Sequence, residues 1–411
     1  MLDLSPDQEA ARQAVLAAVI LDGDTEATLS GPAGSGKTTL MRQLHADFER
    51  AGYLVRLVAP TGKAAARLAA LTGRAATTIH SPLYRTILER DDGGVEFTDP
   101  KAIAEGRAII ICDEASMVGT RLYGDLRRNL PDTVAILCVG DREQLPPVND
   151  TWGCNFANPT GLLTEIHRQA AGSPIIQLAT AIRQGQGWRT IRPDGQAYTY
   201  KRGTLEQAAA WLACERMMGA DATLLAWTNR ARQRLNTEVR AARGHQGDLV
   251  PGDVLVCTRN AYNLGKMNGE VVTVADFEPV EGTGGQLVEA SWLGAESSTR
   301  RGLPVVAPSL LGRGTTPADW QRLEGIADEA DLEADNGWSR PPTKKRMMQA
   351  EYGECLTVHK SQGSQWNTVG VVIDQALDGL EERDPDTFRR LLYTAVTRAA
   401  RELVIWEVGR V

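Results

Sequence analysis

Aromatic residues are scarce in this chain: Phe, Trp and Tyr together make 5% of its 411 residues. Broad aromatic stacking platforms are therefore not expected, and Trp227 and Trp366, the two rings placed near motifs, read first as core packing. Long apolar runs are missing as well. Ala14–Leu21 falls well short of a membrane span, and no basic-then-apolar leader precedes it, so a cytoplasmic protein without a membrane partner is expected. The six cysteines, Cys112, Cys138, Cys154, Cys214, Cys257 and Cys355, show neither C-x-x-C nor Cys/His ligand spacing. Several sit in apolar strand-like runs, which points to buried thiols rather than a zinc site or disulfides. Positive charge is not in excess: 45 Lys and Arg stand against 52 Asp and Glu, a net −7. That balance argues against indiscriminate coating of nucleic acid and leaves room for a local basic track.

A hydrophobic content of 42% with 24% charged residues belongs to a globular protein, and the length calls for two or three domains. Charge is segregated. Asp319 to Asp335 holds seven acids and one base, whereas Thr228 to Arg243 holds five arginines against Glu238, and Ile182 to Arg202 five bases against Asp194. Each basic stretch is either a track for an anion or a solvated helix face. Strand-like and helix-like stretches alternate, which predicts an α/β fold with parallel sheets. Strands are expected at 27–30, 54–59, 108–113 and 134–140, then at 223–227, 369–374 and 403–406. The pattern gives two tandem α/β domains, 1–180 and 181–411, with a hairpin insert at about 81–101 and a β-barrel insert at about 251–350. Asp91-Asp92-Gly93-Gly94 and Asn268-Gly269 are the turn signals in these inserts.

Gly31-Pro32-Ala33-Gly34-Ser35-Gly36-Lys37-Thr38-Thr39 fits G-x-x-x-x-G-K-[ST] between a strand-like run and a helical pattern. Glycines at 31, 34 and 36 let backbone N–H groups face a phosphate, and the helix start adds a positive dipole end. Lys37 can then reach the β- and γ-phosphates and the Thr38 hydroxyl can ligate Mg²⁺. About 75 residues on, Ile109 to Cys112 delivers Asp113 and Glu114, a pair suited to holding Mg²⁺ and polarising an attacking water. Gly140-Asp141-Arg142-Glu143-Gln144 follows another apolar run. On residue chemistry alone it is a loop with turn character, although its Gln144 amide could accept from a water and donate to a phosphate oxygen.

Gln8, GPAGSGKTT, APTGKAAARL (59–68), Thr78-Ile79-His80, DEAS (113–116), GDREQLPPV (140–148), LTEIHRQ (163–169), TVHKSQGSQW (357–366) and LYTAVTRA (392–399) occur in this order. Together they resemble the motif set of superfamily 1B DNA helicases, in the RecD-like and Dda-like branch that moves 5′→3′ on DNA. The likeness spans nearly the whole chain. It implies two RecA-like P-loop motor domains with an SH3-like barrel in the second, working as a monomer in bacterial or phage-infected host cytosol. The implied ligands are ATP, Mg²⁺, single-stranded DNA and junctions of single- and double-stranded DNA; replication or recombination proteins are candidate partners. By the same resemblance Gln8 reads the adenine edge, and Gly31, Gly34, Ser35, Gly36, Lys37, Thr38, Thr39, Gly363 and Gln365 hold the nucleotide. Thr38 and Asp113 hold Mg²⁺, Glu114 is the base, Gln144 the γ-phosphate sensor, and Arg168 and Arg398 the arginine fingers. Pro60, Thr61, Thr78, His80, Thr357, His359 and Ser361 contact DNA, with residue types that grip phosphate without reading sequence.

Two departures stand out. The family often has an acid after SQGS, where this chain has Gln365, and the segment that would carry a strand-separating hairpin is short, with Phe97 its candidate wedge. The short hairpin keeps open a DNA-stimulated ATPase that strips proteins from DNA, and the RecD-like motifs keep open a motor subunit of a repair nuclease.

Overall fold

The computed structural model describes residues 4–79, 84–89, 95–100, 107–147, 150–166, 172–259, 268–293, 305–312, 316–333 and 343–409, together with Ala261, Leu264 and Lys266. The chain divides into two units by its internal contacts. The first comprises Met1–Tyr200, Gln362–Gln365 and Leu377–Leu403; the second comprises Lys201–Ser361, Trp366–Ala376 and Val404–Val411.

The first unit opens on helix α1 (Pro6–Leu16), which begins where its sequence dictates. The Ser5 hydroxyl accepts from the Gln8 N–H, the Gln8 side chain accepts from the Ser5 N–H, and Pro6 presets the first helical φ. Strands β1 (Glu26–Ser30), β2 (Leu54–Ala59), β3 (Ala76–Thr78), β6 (Ala108–Cys112), β7 (Val134–Gly140) and β8 (Gly161–Leu162) form one sheet in the order β3-β2-β6-β7-β1-β8, every pair parallel. Crossovers include α2 (Lys37–Arg50), α3 (Gly62–Thr72) and α4 (Thr120–Asn129). All positions of β6 and β7 are buried, because helices cover both faces of a parallel sheet. Alternate residues feed two cores: Ile109 and Ile111 pack with Leu29, Leu40 and Phe48, while Ile110 and Cys112 pack with Leu126, Ile136 and Phe156. Each such isoleucine contributes about 1.5–3 kcal/mol by leaving water. Register puts Ser30 opposite Gly140 and Cys112 opposite Cys138, so three loops leave the same sheet edge. Since β7 lies between β1 and β6, the Gly31 and Asp113 loops stand two strand spacings apart, roughly 10 Å.

One cysteine expectation is corrected. Cys138 and Cys154 are joined as a disulfide, whereas Cys112, Cys257 and Cys355 are buried thiols as expected and Cys214 is an exposed one. The chain leaves β7 and returns beneath it, bringing two residues 16 apart in sequence within a Cα–Cα distance of 6.4 Å. No C-x-x-C spacing announces that return. Between β3 and β6, strands β4 (Tyr84–Glu89) and β5 (Val95–Pro100) pair antiparallel with Ile87 opposite Phe97. The turn at 91–94 and the Phe97 side chain lie outside the described residues.

In the second unit β10 (Ala222–Ala226) runs parallel to β16 (Cys355–Thr357) and β17 (Trp366–Ile373), in a sheet completed by β18 (Ala399–Val408) and β9 (Tyr198–Gly203) in the order β16-β10-β17-β18-β9. A separate antiparallel sheet has the order β14-β13-β12-β11-β15, built from β11 (Val254–Cys257), β12 (Val271–Pro279), β13 (Val288–Trp292), β14 (Val305–Val306) and β15 (Ala350–Tyr352). A turn at Asn268-Gly269 leads into β12, with Gly269 at φ +82° and its N–H donating to the Cys257 carbonyl at the end of β11. The acidic stretch contains the helix Pro317–Glu333.

Three of the five arginines of 228–243 are turned inward against carboxylates, and two lie on a solvated face. Arg232 pairs with Glu351 at 2.7 Å, Arg240 makes two bonds to the fully buried Asp253 at 2.9 and 3.0 Å, Arg234 pairs with Glu206, and Arg243 with Glu354. Arg232, Arg240 and Arg243 are therefore neutralised inside the unit, whereas Arg230 and Arg234 stay exposed.

Candidate nucleotide site and DNA-contact residues

The loop after β1 adopts the shape its glycines permit. Gly34 and Gly36 sit at φ +82° and +78°, and Gly36 caps α2. A Cβ on Gly31 would stand 2.6 Å from Ser35 Oγ and 2.9 Å from Leu163 Cβ, so only glycine passes there. The Lys37 ammonium donates to the carbonyls of Gly31 at 2.7 Å and Pro32 at 3.0 Å, its partners among the described residues. Both acceptors are neutral, and no carboxylate among the described residues lies within ion-pair distance of it. Ser35 Oγ donates to the Pro32 carbonyl, and Gln8 Nε2 donates to the carbonyls of Ser35 and Gly36 at 3.3 and 3.5 Å. Gln8 thus braces the loop itself. Thr38 and Thr39 lie half-buried in the first turn of α2.

Asp113 and Glu114 leave β6 at the same edge. The Asp113 N–H is held by the Val58 carbonyl at 2.9 Å. Burial raises the Asp113 pKa, the Glu114 charge adds to the rise, and Lys37 and Arg67 oppose it. Glu114 has φ +51°, the one positive φ among the described non-glycine residues. A left-handed glutamate costs about 1–2 kcal/mol, and such strain persists where the surroundings over-determine a working geometry. Thr38 and Asp113 could supply Mg²⁺ ligands, since Mg²⁺ takes one or two carboxylates and completes its shell with phosphate oxygens and water. Among the described residues no group of three or more His, Cys, Asp or Glu is arranged for a metal, and such a site does not require one.

Between these two loops lies the turn after β7. Gln144 is buried, and its Oε1 has no hydrogen-bond partner among the described residues. Arg398 is 4% exposed and donates to the carbonyls of Thr394 and Ser364 at 3.0 and 3.2 Å and to Thr397 Oγ1 at 3.1 Å. Among the described residues it has no carboxylate within ion-pair distance. Burial lowers its pKa, with the Glu114 charge acting in the opposite sense. A buried cation held only by neutral acceptors, an orphaned amide and an under-neutralised lysine form an environment suited to an anion. Sequence reasoning missed Tyr393 and Asp141. The Tyr393 hydroxyl donates to Asp141 Oδ2 at 2.6 Å and accepts from the Ala33 N–H at 3.0 Å. Both residues lie inside quoted motifs, yet nothing local says that positions 252 apart meet.

The remaining candidates divide. Gly363, at φ +70°, packs on α3, where an added Cβ would stand 3.0 Å from Ala64 Cβ. Gln365 Oε1 accepts from Arg67 at 2.7 Å. Pro60 and Thr78 are half-buried, and Thr61 caps α3 through the Ala64 N–H. Thr357 accepts from the Lys360 N–H, Ser361 Oγ donates to the Val358 carbonyl at 2.7 Å, and burial lowers the His359 pKa. His80 and Arg168 lie outside the described residues. Trp366 is buried and Trp227 half-buried, in keeping with core packing.

Residues 3–209 match a family model described as AAA domain, and residues 352–406 match one described as UvrD-like helicase C-terminal domain. The chain is 30% identical over 407 residues to the ATP-dependent RecD2 DNA helicase of Deinococcus radiodurans, covering 92% of this chain and 46% of that protein. It is 28% identical over 302 residues to the ATP-dependent DNA helicase dda of Enterobacteria phage T4, covering 70% of this chain and 67% of that protein. The chain thus spans about half the length of the first of these relatives. In fold it resembles the crystal structure of Pif1 helicase from Bacteroides in complex with ADP-AlF3 and ssDNA, with a TM-score of 0.53 at 16% identity, covering 98% of this chain and 92% of that one. No helix among the described residues is long and apolar enough to cross a membrane. The AAA-domain match covers half of the chain, which belongs to that family, in the RecD-like branch of superfamily 1 helicases.

Proposed function

We propose that this chain is an ATP-dependent DNA translocase and helicase that moves 5′→3′ along single-stranded DNA. The observation that carries the reading is a pair of cations that hydrogen-bond only neutral acceptors. Lys37 and Arg398 are both cations without carboxylate partners among the described residues, beside an orphaned Gln144 amide, which suits a γ-phosphate. Glu114 takes a proton from water as its oxygen attacks the γ-phosphorus, the bond to the β-phosphate bridging oxygen breaks, and ADP and phosphate leave. Gln144 orients that water, and Lys37 and Arg398 offset the charge gathering on the equatorial oxygens. Arg168 is the second finger. Thr38 and Asp113 would hold Mg²⁺, which would offset phosphate charge when bound.

The DNA-contact candidates Pro60, Thr61 and Thr78 fall in the first unit and Thr357, His359 and Ser361 in the second, the division a stepping motor needs. On this reading 1–180 and 181–411 are the two RecA-like motor domains, the antiparallel sheet in the latter is an SH3-like guide for the strand, and the β4–β5 pair is the separating hairpin. The protein acts as a monomer on junctions of single- and double-stranded DNA. A duplex carrying either a 5′ or a 3′ single-stranded tail tests it: unwinding of the 5′-tailed substrate with ATP is expected, and unwinding of the 3′-tailed one alone would refute the polarity. Translocation that displaces a bound protein without opening bare duplex would favour the remodelling alternative.

A further inference from the structure

Four residues of the sensor loop are gripped by one helix, Pro385–Val396. Arg390 donates to the Arg142 carbonyl, Arg389 pairs with Glu143 at 2.8 Å, Arg390 reaches the Gln144 carbonyl at 3.4 Å, and Thr394 Oγ1 accepts from the Leu145 N–H at 3.0 Å. The innermost contact on the same helix is Tyr393, which is 1% exposed, and its partner Asp141 is 2% exposed. A phenylalanine would fill the same volume. The hydroxyl therefore has to be explained by its two bonds, one to the P-loop backbone at Ala33 and one to the Asp141 carboxylate.

We propose that Tyr393 is a positioning residue for ATP hydrolysis, its hydroxyl fixing the Asp141 carboxylate against the P-loop and thereby placing Gln144 beside the γ-phosphate. The inference rests on the ATPase reading above. Asp141 opens the turn that ends in Gln144: its Oδ1 accepts from the Glu143 N–H at 3.0 Å, and its carbonyl accepts from the Gln144 N–H at 3.2 Å. With the hydroxyl gone, the carboxylate stays buried with one donor fewer and the Ala33 N–H loses its acceptor. Both penalties are relieved by letting the turn move, and Gln144 moves with it.

The charged and titratable groups around Asp141 are Lys37 from α2, Glu143 from its own loop, and Tyr393 and Arg398 from the segment at 385–403, with Arg183 facing Tyr393. Burial raises the Asp141 pKa, while Lys37 and the Tyr393 hydrogen bond lower it. Removing the hydroxyl removes one of the opposing influences, so Asp141 protonates at a higher pH in Tyr393→Phe. Activity that requires ionised Asp141 is then lost at a higher pH as acidity increases.

The test compares the full chain with Tyr393→Phe, Asp141→Asn and the double variant, using MgATP and a single-stranded oligonucleotide. Steady-state kinetics run from about pH 5 to 9, alongside thermal melting. Tyr393→Phe is expected to hold KM within about two-fold, to lower kcat about ten-fold, and to move the acid limb of kcat upward in pH. The double variant should be no slower than Asp141→Asn. Unchanged kcat, a loss uniform across pH, or losses that multiply in the double variant would overturn the proposal. Should Tyr393→Phe fail to fold, Asp141→Asn carries the test alone: its kcat should lose the acid limb, and an unaltered limb sinks the idea. A wild-type chain without DNA-stimulated hydrolysis overturns the functional reading and this inference together. A hydrolysing wild type beside an unaffected Tyr393→Phe overturns the inference alone.

Discussion

Replacing Arg398 by methionine should separate stability from activity. The guanidinium is 4% exposed and donates three hydrogen bonds, all to neutral acceptors. Two of those acceptors keep other bonds: the Thr394 carbonyl still receives the Thr397 hydroxyl at 2.9 Å, and that hydroxyl is satisfied as a donor. Only the Ser364 carbonyl loses the donor it has in this arrangement, at a cost of about 1–3 kcal/mol. Against that stands the desolvation of a buried cation without an anionic partner, an effective penalty of several kcal/mol that an apolar chain of similar length removes. The terms nearly cancel or favour the variant, so Arg398→Met should stay within about 2 kcal/mol of the wild type or exceed it. Turnover should fall by about 10³–10⁵, the contribution of an arginine finger. Urea unfolding followed by fluorescence, paired with phosphate release on single-stranded DNA, reads both quantities on one preparation. A loss of more than about 3 kcal/mol in stability would mean that Arg398 is a structural residue whose charge the fold needs. Retained turnover would mean that the cation faces something other than the nucleotide.

Other expectations follow from the same geometry. Glu114→Gln should bind nucleotide normally and release no phosphate, whereas Glu114→Gly, relieved of a left-handed side chain, should gain about 1 kcal/mol of stability while losing turnover. A nucleotide-binding assay beside thermal melts decides this, and a destabilised glycine variant would contradict the strain argument. Gly140→Ala should cost about 1–3 kcal/mol, because its Cβ would stand 2.7 Å from Phe156 Cζ and 3.0 Å from the Ser116 backbone N. Rescue by Phe156→Leu in the double variant would assign the cost to that clash, and a neutral single variant would refute it.

What the sequence determined alone is what short stretches of chain determine. The order of glycines at 31, 34 and 36 is sufficient for a phosphate cradle, since glycine freedom and a following helix start act within nine residues. The apolar runs at 108–113 and 134–140 were legible as strands because a parallel sheet buries both faces and leaves no polar alternation to interpret. The ordered motifs carried the branch of the family and named Arg398 about 360 residues from the P-loop. What the tertiary structure decided are meetings between residues that no local rule links. The Tyr393 hydroxyl finds Asp141 only because β7 is inserted between β1 and β6 and a helix from far along the chain packs on its loop. Cys138 finds Cys154 because the chain doubles back under β7. The arginines of 228–243 had the composition of a DNA track, yet Asp253, Glu351 and Glu354, the last 111 residues from its partner, turn Arg232, Arg240 and Arg243 inward. Composition sets how much charge a helix carries; the carboxylates brought against it by the fold decide whether any of that charge remains for a ligand.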